Sequence, residues 1–189
     1  VIISAPYWVS YPEQVKLADG TPVVVQTDES MGFLATASQI EGSVTNRTKL
    51  VIVNSPSNPT GAVYTPQALR DIADLCVGRG IYLMSDEIYE KILYTGSEFV
   101  SPASFGEAVN GFSKAHAMTG WRLGYAAADL DIVAAMSKIQ DQSTSNPTSI
   151  AQAGGVEALN GPQDSVEIMR AAFQERRDYT VSALKDIPV

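Results

Sequence analysis

Lys114 and Arg122 stand eight positions apart in the stretch NGFSKAHAMTGWRLGY, residues 110–125. Lys114 lies in a run of small and apolar residues, and Gly120 and Gly124 flank the arginine. Burying an ammonium is costly unless it is paired or neutralised. A desolvated lysine therefore loses its proton more easily, and its neutral amine can add to a carbonyl to form a Schiff base. Arginine stays charged and can clasp a carboxylate or phosphate through two parallel hydrogen bonds. A nucleophilic amine and an anion clamp on one glycine-punctuated segment are parts of a site for an anionic carbonyl compound. The same two residues also fit a surface lysine near a surface ion pair.

Three further positions carry functional side chains at the ends of expected strands. Asp86 follows the apolar run IYLMS, residues 81–85. The carboxyl end of a buried strand is where open α/β sheets place functional groups. An aspartate there can equally cap a helix, and EIYEKILY, residues 87–94, reads as one. Asn58 lies in NSPSNPTG, residues 54–61, where Pro56, Pro59 and Gly61 restrict the backbone. Such stiffness is either turn chemistry or a means of holding the Asn58 side chain in one orientation. Tyr7 and Trp8 are adjacent aromatics just past the first strand, placed to form a stacking platform or to pack in the core. His116, the single histidine, reads as a packing or surface residue rather than a catalytic one.

The elements that must position these groups alternate. Strands are expected at residues 1–4, 22–26, 49–54 and 81–85, just before Asn110, and at 123–128. The LVIV core of residues 50–53 is continuous, as in a strand buried on both faces. Tyr11 and Pro12 read as a polar turn before a helix over 13–18. Further helices are expected at 36–42, from Thr65–Pro66 onward, and at 130–140, 148–159 and 165–184. In the Thr65–Pro66 helix, Thr65 is a good N-cap and Pro66 suits the first position. Leu69, Ile72, Ala73 and Cys76 then line one face, and Gly78 and Gly80 end it. Strands alternating with helices predict an α/β fold: a mostly parallel, mixed sheet covered by helices on both faces.

Composition narrows the partners. The formal net charge of −8 argues against nucleic acid and anionic membranes, which require a basic face. No apolar run approaches the ~20 residues of a membrane helix. Cys76 is the one cysteine, so no internal disulfide forms, and we expect a reducing, cytoplasmic setting. The chain begins on VIIS, within an expected strand, and ends just after an amphipathic helix; we expect a piece of a longer protein.

Four segments, in order, resemble class I pyridoxal-phosphate-dependent aminotransferases, with a flavour of the prokaryote-type aspartate aminotransferase subgroup. PYWVSYPE at 6–13 resembles the aromatic stacking segment and NSPSNPTG at 54–61 the asparagine loop. SDEIY at 85–89 resembles the aspartate–tyrosine motif, and GFSKAHAMTGWRLG at 111–124 the cofactor-lysine signature. The resemblance implies the large domain of that fold and pyridoxal 5′-phosphate as cofactor. It implies Lys114 as the Schiff-base lysine and proton shuttle, and Asp86 as partner of the pyridinium nitrogen. Tyr89 and Asn58 would face the phenolic oxygen, Trp8 would stack on the ring, and Arg122 would grip the phosphate. Gly111 sits where many relatives carry a hydroxyl residue for the phosphate, so one contact is expected to be missing.

By the same resemblance, residues 1–164 would be part of the large cofactor-binding domain, and residues 165–189 a long helix leading toward a small domain. A phosphate-binding turn would lie upstream, a substrate-carboxylate arginine downstream, and a tyrosine would come from a partner subunit. The implied activity moves an amino group from aspartate or glutamate to a 2-oxo acid, in a homodimer. This piece alone is expected to be weak or inactive. Two alternatives stay open on the same fold: a pyridoxal-phosphate lyase or synthase, and a sensing domain of a transcription regulator.

Overall fold

A computed structural model describes residues 1–94, 96–185 and 187. Six strands form one sheet: β1 (Ile2–Ala5), β2 (Val23–Gln26), β3 (Leu50–Asn54), β4 (Tyr82–Asp86), β5 (Glu107–Gly111) and β6 (Gly124–Ala127). Their order is β2-β1-β3-β4-β5-β6. All neighbouring pairs are parallel except β5–β6, which is antiparallel with Gly111 opposite Gly124. The mostly parallel, mixed sheet expected from the sequence is present.

Among the described residues six α-helices accompany it: α1 (Ser10–Leu17), α2 (Ala37–Glu41), α3 (Pro66–Arg79), α4 (Leu130–Ser143), α5 (Ser149–Asn160) and α6 (Asp164–Lys185). The expected segment 165–189 begins inside α6; its residues 186, 188 and 189 lie outside the described residues. Strand side chains alternate between the two faces. Ile2, Val51, Val53 and Leu83 pack with Ile40 of α2 and with Leu69, Ile72, Ala73 and Cys76 of α3. Ile3 and Ile52 point the other way and pack with Tyr11 and Val15 of α1. Full burial of a side chain of this size is worth about 1.5–3 kcal/mol, so these two layers hold the strand ends in place. The Cys76 thiol is part of the first layer, and burial pushes it up to about 11, which leaves it a small core group.

The helix starts follow local chemistry. Thr65 accepts the Ala68 amide at 3.2 Å and Pro66 opens α3, as the sequence predicts. Thr36 and Gln39 form a reciprocal capping box on α2. Two expectations need correction. Tyr11 and Pro12 do not form a turn ahead of the first helix, because α1 already starts at Ser10. Proline is tolerated in a first helical turn, where its missing amide has no intrahelical partner. No helix follows Asp86 either: residues 88–91 are turns. The Glu87 amide is taken by Val109 O at 2.9 Å, and the short bonds Glu90 N to Glu87 O and Ile92 N to Tyr89 O close separate turns. No ladder of helical bonds starts there.

Candidate active site

The parallel strands all present their carboxyl ends on one edge of the sheet. The strand order reverses direction between β1 and β3, and α/β sheets bind ligands outside such a switch point. Trp8 and Tyr11 follow β1, Asn54 and Asn58 lie at and after the end of β3, Asp86 and Tyr89 end and follow β4, and Lys114 follows β5. Because β6 is antiparallel to β5, Arg122, two residues before it, returns to the same edge. These side chains line one cavity of about 350 Å³, together with Asn110, Ser113 and Thr119. All six residues singled out from the sequence (Trp8, Asn58, Asp86, Tyr89, Lys114 and Arg122) are among its walls.

Asp86 is the most tightly held of them. Its Oδ2 accepts the Tyr11 hydroxyl at 2.6 Å, and its Oδ1 accepts the Ile88 amide at 3.2 Å. The carboxylate thus binds an amide two residues on instead of capping a helix. Its carbonyl accepts the Asn54 side-chain amide at 3.0 Å, and Asn54 Oδ1 accepts the Asn58 amide at 2.7 Å. Asn54 and Asp86 are register partners in β3 and β4, which brings these groups together. The chain Tyr11–Asp86–Asn54–Asn58 therefore joins three segments of the sequence through hydrogen bonds. Tyr11 is 3% exposed, and burial with the adjacent Asp86 charge drives its phenol far above the ordinary range, so it remains a donor. Trp8 meets the Tyr11 ring edge-on, with centroids 5.4 Å apart.

Lys114 and Arg122 are arranged differently. Both are exposed, so the desolvation expected of Lys114 is not supplied by this chain. The apolar neighbours that prompted the expectation turn elsewhere: Phe112 and Ala115 are buried while Lys114 faces the cavity. The Lys114 ammonium lies 5.8 Å from the centre of the Tyr89 ring and has no acidic partner among the described residues. Arg122 donates to Thr119 O at 2.9 Å, and among the described residues the rest of its guanidinium is free. Its backbone is left-handed, with φ of 51°, just after the short 3-10 turn Thr119–Trp121. Gly111 is crowded: a Cβ there would lie 3.2 Å from Gly124 Cα, Ile88 Cδ1 and Leu123 O. His116 packs against Phe112 with ring centroids 5.6 Å apart and does not line the cavity.

Sequence reasoning missed Tyr11 and Asn54. The spacing of Tyr11, three residues after Trp8, was the available signal for the first; an asparagine closing the apolar run of β3 was the signal for the second. A larger cavity of about 840 Å³ adjoins the site and is walled partly by Ile168, Met169, Ala172 and Phe173 of α6. It shares Asn58, Tyr89 and Lys114 with the smaller one but lacks Asp86, Trp8 and Arg122, so the reactive groups converge in the smaller cavity.

Comparison with known proteins places the sequence and the fold. An aspartate aminotransferase from Bacillus sp. (strain YM-2) is 52% identical over all of this chain and 50% of its own length. An asparagine–oxo-acid transaminase from Streptococcus mutans is 45% identical over all of this chain and 50% of its own. The structure of Thermus thermophilus aspartate aminotransferase with maleate superposes with a TM-score of 0.94 at 43% identity, covering 97% of this chain and 50% of that one. The chain thus spans about half the length of the relatives it matches. The model of the aminotransferase class I and II family matches residues 1–189, and the chain belongs to that family.

Proposed function

We propose that this chain is the cofactor-binding part of a pyridoxal-phosphate-dependent aminotransferase that moves an amino group from aspartate or glutamate to a 2-oxo acid. The observation that carries the reading is the convergence of Trp8, Asn58, Asp86, Tyr89, Lys114 and Arg122 on one cavity at the strand ends. The donor set fits pyridoxal 5′-phosphate: a fixed carboxylate, an indole, a phenol, and, among the described residues, an amine with no acidic partner and a guanidinium with free N–H groups. When bound, that cofactor supplies an electron-accepting ring that allows the Cα–H bond of an amino acid to break.

The chain's residues then have separate tasks. Asp86 holds a proton on the ring nitrogen; Tyr11 and Ile88 keep its carboxylate in place. Tyr89 and Asn58 would hold the cofactor's phenolic oxygen, and Trp8 would cover its ring. Lys114 would anchor the cofactor's carbonyl and hold and return the proton at the substrate Cα. Arg122 binds the phosphate with the guanidinium N–H groups that Thr119 leaves free. At Gly111 no side chain adds to that grip.

The acidic substrate follows the names of the Bacillus and Thermus relatives. We assign residues 1–164 to the large domain and the segment 165–189, whose described helix α6 runs to Lys185, to the connection toward a smaller one, in a cytoplasmic homodimer. Val133, Met136 and Ile139 are exposed and fall within one third of the circumference of α4, which supports a contact between two copies on that face. No described helix is long and apolar enough to cross a membrane. Incubating the full-length protein with L-aspartate, 2-oxoglutarate and the cofactor should yield glutamate and oxaloacetate in equal amounts. Turnover of neither aspartate nor glutamate would reject the substrate class, and β-elimination or decarboxylation products would reject the reaction type.

A further inference from the structure

We propose that Tyr11 is a positioning residue that holds the Asp86 carboxylate and the Trp8 indole in one fixed arrangement for the bound cofactor. The proposal rests on the cofactor reading above and goes beyond it, because Tyr11 acts through its neighbours. It lies in the first turn of α1, buried among Ile3, Val15 and Ile52, so its ring is clamped by the core layer on that face of the sheet. From there its hydroxyl donates to Asp86 Oδ2 at 2.6 Å, and its ring meets Trp8 edge-on. One rigid side chain thus touches both the charged and the stacking wall of the cavity. Asp86 sits at the last position of β4, where the carboxylate could rotate about its own side-chain bonds; bonds from Tyr11 to one oxygen and from Ile88 to the other remove that freedom.

A simple core role predicts something different. A buried phenol needs an acceptor, and Asp86 could serve only to satisfy Tyr11. In that case Tyr11→Phe would keep the ring packing and leave the cofactor unaffected. If the phenol instead fixes Asp86, its loss releases an oxygen of the carboxylate and alters the proton that Asp86 shares with the ring nitrogen.

The test compares the full-length wild type, Tyr11→Phe, Asp86→Asn and the double variant. The readouts are the pyridoxal phosphate dissociation constant, the pH dependence of the bound cofactor's visible band, and thermal unfolding of the cofactor-free form. Tyr11→Phe should weaken cofactor binding about tenfold, the scale of one charge-assisted hydrogen bond, and move the pH dependence of the band. The cofactor-free protein should still unfold cooperatively. In the Asp86→Asn background, Tyr11→Phe should add little, because both changes act on one contact. Unchanged binding and an unchanged pH profile in Tyr11→Phe would overturn the proposal while leaving the cofactor reading intact, as would fully additive effects in the double variant. A wild type that binds no cofactor would overturn both.

Discussion

The two sides of the cavity are built by different rules. On the β1–β3–β4 side, strands sit between two helical layers, and Tyr11, Asp86, Asn54 and Asn58 form a hydrogen-bonded chain. On the β5–β6 side, β6 is largely exposed, α4 buries none of its residues, and among the described residues Lys114 and Arg122 have no ion pair with an acidic residue. One side is a preorganised wall whose groups cannot move without breaking bonds. The other presents Lys114 and Arg122 as exposed residues. Orientation is thus fixed within this chain on one side of the site, whereas on the other the burial of Lys114 is not.

That contrast can be broken most severely at Lys114. Lys114→Ala should lower kcat of the full-length enzyme by about 10⁴-fold or more, since anchoring and proton transfer are lost together, yet leave thermal stability near wild type because the side chain is exposed. A variant that unfolds would contradict the loose description of that side. Asp86→Ala should do the reverse in stability: by removing the acceptor of a buried phenol it should cost about 1–3 kcal/mol in denaturant unfolding, besides the loss of activity.

The scaffolds can be compared directly. Ile72→Ala, at a side chain that is 0% exposed, should cost about 2–5 kcal/mol. Ile139→Ala on the exposed face of α4 should change the stability of the isolated chain by about 0.5 kcal/mol or less. If the two costs were similar, the division between a packed and an open half would fail. If Ile139→Asp split the full-length protein into monomers, the face would be an interface.

The smallest effect is expected from Glu87. It is buried, and that burial, reinforced by Glu90 and Asp86, raises its carboxyl above the usual range, although the Ser101 hydroxyl at 2.6 Å opposes the shift. A group with a raised folded value favours folding while protonated, and that contribution fades as pH climbs through the raised value. Glu87→Gln should therefore flatten the decline in stability just above the ordinary carboxylate range, as followed by urea unfolding across pH.

How far the sequence speaks depends on whether a contact is local. Buried strands were legible because LVIV and IYLM are apolar on both faces and stop at polar residues, and those stops are the site. Capping made α3 legible, since Thr65, Pro66 and Gly80 act within a turn of their own position. The bond from Tyr11 to Asp86 spans 75 residues, and only the sheet order brings the pair together. Asn54 was read as a strand end; its link to Asp86 depends on register. The helix expected after Asp86 is replaced by separate turns: the Glu90 and Ile92 amides bond three residues back, and the Leu93 carbonyl accepts the distant Arg170 guanidinium at 3.3 Å. The exposure of Lys114 is a fact of surroundings that residue types nearby in sequence could not supply.

The most direct test of the central claim is to add pyridoxal phosphate to the full-length protein, reduce with borohydride and map the labelled peptide, with Lys114→Ala as control. The account predicts one dominant label, on Lys114, and a visible absorbance that the variant lacks. Labelling spread over surface lysines, or a Lys114→Ala protein labelled as strongly as wild type, would contradict it.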